Sequence, residues 1–233
     1  MGGLERDSDR FDSNLEKVNM LNISFDTSPK SILCLGAHSD DIEIGCGATL
    51  LRLIEEYEDV CIKWVVFSGN ETRTLETKNS MDLFLQGLKT KDVEFKGFKD
   101  GFFPYDGKGI KLVFEELKNR VSPDIIFTHY RHDLHQDHRI ISELTWNTFR
   151  NHLILEYEIP KYDGDMGSPN LFVHVNKEQC DKKVQFLMAA FESQRNKHWF
   201  TKELFQSILR IRGMESCSSS NLAEAFYCRK LCF

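Results

Sequence analysis

The feature that most constrains the fold is a repeated alternation between short apolar runs and segments with helical spacing. The apolar runs are rich in β-branched and aromatic residues: "SILCL", "CIKWVVF", "DVEFKGF" and "PDIIFTH". Between the first two runs, Leu50, Leu53, Ile54 and Tyr57 recur every three or four residues, which is the pattern of one helix face. The segments "DLFLQGL", "IKLVFEELKNRV" and "RIISELTWNTFR" repeat this spacing. Near-continuously apolar strands that alternate with helices predict a parallel sheet covered on both faces.

The pattern changes after residue 152. "LILEYEI" and "LFVHV" are predicted strands, and "KEQCDKKVQFLMAAF" and "WFTKELFQSILRI" are predicted helices. The sequence has no linker, internal repeat or low-complexity tract that would separate a second domain. We therefore expect a polar leader over residues 1–30 and one α/β domain over residues 31–233. That domain is predicted to be Rossmann-like, with a mostly parallel sheet and helices on both faces.

Charge and cysteine content exclude several classes of protein. The formal net charge of −6 argues against a general binder of nucleic acids or anionic membranes, because both usually carry a basic excess. The seven cysteines are an odd number and lack a CxxC spacing, which favours free thiols in a reducing compartment. The leader has no signal-peptide core, and the sequence contains no apolar run of membrane length. These features predict a cytoplasmic protein without an integral membrane segment, and they are compatible with a homo-oligomer.

Two polar clusters follow predicted strands. "AHSDD" comes after the first strand and "HYRHDLHQDH" comes after "DIIFT", so both lie at the carboxyl edge of the sheet, where α/β folds bind ligands. Zinc accepts imidazole and carboxylate ligands, and catalytic sites keep one position for water. His38 and Asp41, three residues apart across a turn, could bind one ion with His138 as the third ligand. Asp40 could then act as general base towards the water, with His135 nearby as a non-ligand.

Each cluster has a simpler interpretation when it is considered alone. Aspartate and serine after a strand commonly cap helices, and "HQDH" resembles a solvated capping segment. The joint occurrence of the two clusters at matched strand ends favours a metal-dependent hydrolase. The "GCG" of residues 45–47 does not form a GxGxxG motif, and the preceding carboxylates would repel a pyrophosphate. His129 also ends a strand at this edge, but the predicted site does not require it.

At these two loops the sequence resembles the LmbE-like family of zinc-dependent deacetylases, also called the PIG-L or N-acetylglucosaminylphosphatidylinositol de-N-acetylase family. Its first signature, AHPDD followed by an acid, stands here as "AHSDDIE". Its second signature, HxDH with an aspartate two residues earlier, stands here as "DLHQDH". Other similar segments extend the likeness over residues 31 to 230: "GNETRTLE", which falls at a loop in the family, "FKDGFF", "ESQRNKHWF", "RIRGMES" and "AEAFY".

The resemblance implies roles for the residues of both signatures. It makes His38, Asp41 and His138 the zinc ligands, Asp40 the general base and His135 the electrophilic partner. Serine 39 and glutamine 136 replace two prolines that are usual in the family, and neither replacement removes a proposed ligand or base.

Three further residues receive a role through the same resemblance. Asp137 would orient or tune the neighbouring His135, and Arg73 and Asp100 would lie near hydroxyl groups of a sugar substrate. The implied activity is removal of the N-acetyl group from an N-acetylated amino sugar or glycoconjugate, with no nucleic-acid partner. The alternatives are hydrolysis of another acyl or phosphoester bond at the same metal site, and a non-catalytic sugar- or nucleotide-binding member of the fold. A set of two histidines and one aspartate also accommodates other divalent ions such as Fe²⁺.

Overall fold

The computed structural model describes residues 28–57 and 59–232, so the predicted leader lies almost entirely outside the described residues. The described strands are β1 (Ser31–Gly36), β2 (Cys61–Ser68), β3 (Lys91–Phe98), β4 (Ile125–His129), β5 (Leu153–Tyr157), β6 (Leu171–His174) and β7 (Ala223–Cys228). The described α-helices are α1 (Asp41–Glu56), α2 (Glu71–Phe84), α3 (Gly107–Arg120), α4 (Gln136–Thr148), α5 (Lys177–Ala190) and α6 (Lys202–Glu215). One 3₁₀ turn, Glu192–Gln194, follows α5.

The strands form one sheet in the order β3-β2-β1-β4-β5-β7-β6. The first five strands in this order are parallel, and β7 pairs antiparallel with both β5 and β6. From β1 the chain crosses to β2 on one side and later to β4 on the other, so the strand order reverses between β1 and β4. Ligand sites of open α/β sheets form at such a reversal, beyond the carboxyl ends of the strands.

Helices cover both faces of the sheet, as the sequence predicts. Side chains alternate between faces along a strand. In β1, Ile32 and Cys34 belong to a core shared with α1, α2, α5 and α6, whereas Leu33 and Leu35 pack with α3 and α4. All four side chains are fully buried, which explains why the strand is apolar throughout. The prediction of a single α/β domain with a mostly parallel sheet is confirmed.

Two features were not predicted from the sequence, namely strand β7 and the start of helix α2. "AEAFYC" forms β7, and α2 begins at Glu71, within the "GNETRTLE" segment that was expected to be a loop. The first turns of α2 are polar and therefore show no apolar period, but the side chain of Asn70 accepts the Arg73 N–H and caps the helix. None of the helices in the described part of the chain combines the length and the apolarity that a membrane crossing requires.

Candidate metal centre and active site

The two polar clusters meet at the carboxyl edge of the sheet. β1 ends at Gly36, shortly before His38, and α4 carries His138 close to its start, one hundred residues later in the chain. Because β1 and β4 are neighbours in the sheet, the loops that follow them open into one cleft of about 880 Å³. Four further segments contribute to its walls: the ends of β2 and β3, the chain after β5, and residues 193–199.

Three side chains that were predicted as ligands come together in this cleft. Nδ1 of His38 lies 3.1 Å from Nε2 of His138 and 3.4 Å from Oδ2 of Asp41. Oδ1 of Asp41 lies 3.6 Å from Nε2 of His138. Tetrahedral zinc with bonds of about 2.0–2.1 Å places its ligand atoms roughly 3.3 Å apart. The three side chains therefore lie within reach of one divalent ion, with the two imidazoles facing different oxygens of the Asp41 carboxylate.

The surroundings of His138 keep its Nε2 available as a ligand. Burial, together with the nearby His129, lowers the pKa of His138 to about 3, so the imidazole is neutral at neutral pH. Nδ1 of His138 lies 2.8 Å from Oδ2 of Asp133, which places the ring proton on Nδ1 and the free electron pair on Nε2. Although burial opposes ionisation, the hydrogen bond from His138 holds the pKa of Asp133 below its usual range. Sequence reasoning assigned no role to Asp133, although it is the first aspartate of "DLHQDH".

We expect Asp133→Asn to weaken zinc binding about tenfold to a hundredfold, because loss of such carboxylate partners of a ligating histidine typically has this effect. Titration of the purified variant against a chromophoric chelator measures the dissociation constant. Asp163→Asn, which changes an exposed carboxylate of the same cleft, is the matched control. An unchanged zinc affinity in the Asp133 variant would show that His138 does not depend on this carboxylate.

His129 also lies beside the proposed ligands. Its Nε2 is 3.2 Å from Oδ2 of Asp41, and its ring stacks on His138 with 3.9 Å between centroids. However, the same Nε2 accepts the Ala37 N–H at 2.9 Å, and the side chain is fully buried behind the cleft. Asp41, His129 and His138 also bring one donor atom each close together, but Nε2 of His129 is already bonded to the main chain. His38 therefore stays the predicted third ligand. His129, left out of the site on sequence grounds, packs behind Asp41 as a support.

Asp40 is held by a chain of hydrogen bonds. Nη2 of Arg73 donates to Oδ1 of Asp40 at 2.7 Å, and Nη1 of Arg73 donates to Glu76 at 3.1 Å. Glu76 in turn accepts the main-chain N–H and the hydroxyl of Ser193, both at 2.7 Å. Burial raises the pKa of Asp40, although Arg73 opposes the shift. Arg73, predicted to contact substrate, thus orients Asp40 from the wall of the cleft, and sequence reasoning did not identify Glu76 or Ser193.

His135 and Asp137 lie next to the proposed ligands but face different groups. The ring of His135 is 4.8 Å from that of His38, and its Nδ1 accepts the Asp137 N–H at 3.2 Å. The Asp137 carboxylate lies 3.3 Å from Nε2 of His38 and accepts the N–H groups of Gly101 and Phe103. The side chain of Asp137 therefore orients His38, whereas its main chain orients His135.

Asp100 stands at the mouth of the cleft. Its Oδ1 lies 3.0 Å from Nε2 of His38, and 74% of its side chain is exposed. Asp100 thus contacts a proposed ligand and is also exposed to any molecule that enters the cleft. The family resemblance had implied substrate contact alone.

Comparison with known proteins agrees with the fold and the two signatures. The family model PIG-L, described as GlcNAc-PI de-N-acetylase, matches residues 33–149. The "Uncharacterized deacetylase YaiS" of Escherichia coli (strain K12) is 30% identical over 168 residues, covering 68% of this chain and 89% of that protein.

Solved structures share the fold at lower identity. The N,N'-diacetylchitobiose deacetylase from Pyrococcus horikoshii superposes with a TM-score of 0.66 and 19% identity, over 86% of this chain and 84% of that chain. GalB, the 4-carboxy-2-hydroxymuconate hydratase from Pseudomonas putida KT2440, superposes with a TM-score of 0.67 and 17% identity, over 88% of this chain and 98% of that chain. At such identities the likeness shows the fold alone. The family match and the E. coli relative go further, and by them this chain belongs to the PIG-L family of deacetylases.

Proposed function

We propose that this protein is a metal-dependent hydrolase that removes the N-acetyl group from an N-acetylated amino sugar or glycoconjugate. The observation that carries the proposal is the meeting of His38, Asp41 and His138 within 3.6 Å, beside the buried carboxylate of Asp40. The two nitrogens and one oxygen suit zinc, and Fe²⁺ also accepts such donors. When bound, the ion supplies Lewis acidity to a water molecule and to the amide carbonyl.

Asp40 is the proposed general base. Its carboxylate shares the cleft with the three ligands, and the raised pKa makes it a better proton acceptor near neutral pH than an exposed aspartate. The hydrogen bond from Arg73 fixes Oδ1, so that Oδ2 is the oxygen that remains to accept a proton from water. The water oxygen forms a bond to the acetyl carbonyl carbon, the bond from that carbon to nitrogen then breaks, and the proton held by Asp40 passes to the leaving nitrogen. The products are acetate and the free amino sugar.

His135 is the proposed hydrogen-bond donor to the carbonyl oxygen. Because Nδ1 accepts the Asp137 N–H, the ring proton of neutral His135 lies on Nε2. Burial and the nearby His38 lower the pKa of His135, so the ring acts as a neutral donor and not as an imidazolium. A donor fixed before the reaction stabilises the developing negative charge without reorganisation. Asp100, exposed at the mouth of the cleft, is proposed to contact a substrate hydroxyl. Arg73 also lines the cleft, but its terminal nitrogens are bonded to Asp40 and Glu76, so its main proposed role is to hold the base.

Acetate release separates this function from its alternatives. We expect the zinc-loaded protein to release acetate and a free amine from at least one member of a panel containing N-acetylglucosamine, N,N'-diacetylchitobiose and N-acetylglucosaminyl conjugates. Acetate is measured by a coupled assay, and the amine by fluorescent labelling. Turnover of only p-nitrophenyl acetate or bis(p-nitrophenyl) phosphate would favour another acyl or phosphoester hydrolase. Binding of a panel sugar without turnover would favour a non-catalytic member of the fold.

A further inference from the structure

Helix α1, which begins with Asp41, is broken after its first turn. Cys46 has φ −140° and ψ 15°, outside the helical region, and it is the central residue of the "GCG" segment. A Cβ atom at Gly45 would lie 2.2 Å from the ring of Tyr157, and one at Gly47 would lie 2.7 Å from Phe84. The two glycines therefore permit the close packing of the break against the core, which explains a motif that the metal site does not use.

Two side chains replace main-chain partners at the break. In an unbroken helix the N–H groups of Ala48 and Thr49 donate to the carbonyls four residues earlier. Here they donate to the two carboxylate oxygens of Glu224, at 3.0 Å and 2.6 Å. Nζ of Lys183 donates to the carbonyl of Ile44 at 2.6 Å, just before the break. Glu224 thus serves the two donors, and Lys183 serves the Ile44 carbonyl, one of the two acceptors that the break leaves without a main-chain partner.

The two side chains also form a buried ion pair. Nζ of Lys183 lies 2.5 Å from Oε1 of Glu224, and the side chains are 5% and 3% exposed. Lys183 lies on α5 and Glu224 on β7, so the pair links the C-terminal half of the domain to the helix that begins with a metal ligand. Because both charges are buried, each depends on the other, and the geometry of the break depends on both.

The first turn of α1 connects the break to the proposed site through a main-chain hydrogen bond. The N–H of Ile44 donates to the carbonyl of Asp40 at 3.0 Å, and the carbonyl of Ile44 accepts from Lys183. Ile44 therefore connects the ion pair directly to the residue proposed as general base, which adjoins the ligand Asp41. We infer that the Lys183–Glu224 pair is a positioning device that holds the break in α1 and thereby sets the direction of Asp40 and Asp41. This inference rests on the proposed function of those two residues.

Zinc affinity, measured without substrate, tests the inference. Lys183→Met combined with Glu224→Gln removes both charges, so that no unpaired buried charge opposes folding. We expect the zinc dissociation constant of this double variant to rise at least tenfold and kcat to fall, with little change in KM. The single variant Lys183→Arg keeps a charged donor beside Glu224, and it is expected to retain part of the zinc affinity that the double variant loses. Chelator competition gives the dissociation constant, and thermal unfolding without metal gives the stability of each variant.

A matched control separates positioning from stability. Val184→Ala removes a buried core side chain from the same helix, next to Lys183, and is expected to lower the melting temperature without changing zinc affinity. If the double variant also loses only melting temperature and binds zinc like the parent, the pair is a purely structural element and the inference is wrong. Absence of deacetylase activity in the parent would contradict the proposed function, but it would leave the zinc comparison intact.

Discussion

Asp40→Asn is expected to reduce kcat for deacetylation by a factor of about 10²–10⁴, while the protein still binds one zinc ion. Loss of a positioned general base typically costs this factor. Asparagine has nearly the same shape as aspartate and can still accept the hydrogen bond from Arg73, but it cannot take a proton from water. Acetate release under saturating substrate measures kcat, and plasma emission spectroscopy measures the metal content of the same preparation.

The metal measurement decides how a loss of activity is interpreted. If Asp40→Asn retains zinc but not turnover, the role of base is supported; if it retains turnover, Asp40 is not the base. Asp181→Asn, the same chemical change in a surface pair with Lys177, is expected to behave like the parent. Loss of zinc together with turnover in the Asp40 variant would instead indicate that Asp40 is a ligand.

His138→Ala is expected to remove the metal as well as the activity. The proposed site has three protein ligands, and deletion of one of two imidazoles leaves only His38 and Asp41. Parent protein purified without added metal or chelator should contain about one zinc-like ion per chain, and the variant should contain little. Added zinc should raise the melting temperature of the parent but not that of the variant, since a ligand stabilises the state that binds it.

Two companion variants make the His138 experiment specific. His132→Ala removes an exposed histidine from the same loop and should leave metal content and activity unchanged. His138→Gln fills the buried position with a side chain of similar length and guards against a simple packing defect. Zinc bound at parental stoichiometry and affinity in both His138 variants would contradict the proposed ligand set. His129 would then be the next histidine to test as a ligand.

Much of the architecture could be predicted from local patterns. The runs predicted as strands became β1 to β6, the helical spacing identified the helices between them, and strand-helix alternation implied the parallel sheet. Strand β7 was not predicted, because its six residues do not show a clear apolar–polar alternation. Local sequence also cannot indicate that this strand lies between β5 and β6. Its place depends on pairing with strands far away in the sequence, and that pairing is a property of the packed sheet.

The candidate site was likewise only partly predictable from the sequence. Spacing within "AHSDD" and "DLHQDH", and the rule that parallel strands end at one edge, predicted that His38, Asp41 and His138 would lie in one place. Local sequence did not reveal that Glu76 reaches Ser193, which lies 117 residues later. The family resemblance implied that Asp137 orients its neighbour His135, whereas the fold turns the Asp137 carboxylate towards His38.

The sequence by itself determined which residues are apolar, where helices and strands can form, and which chemical groups lie at the strand ends. These properties depend on residues that are close together in the chain, so the spacing of apolar and polar residues is enough to predict them. Only the tertiary structure decided the partners of the buried polar groups, such as His138 with Asp133 and the broken helix α1 with Lys183 and Glu224. Burial makes such partners obligatory, but several distant segments could supply them, and packing selects the one that lies within reach.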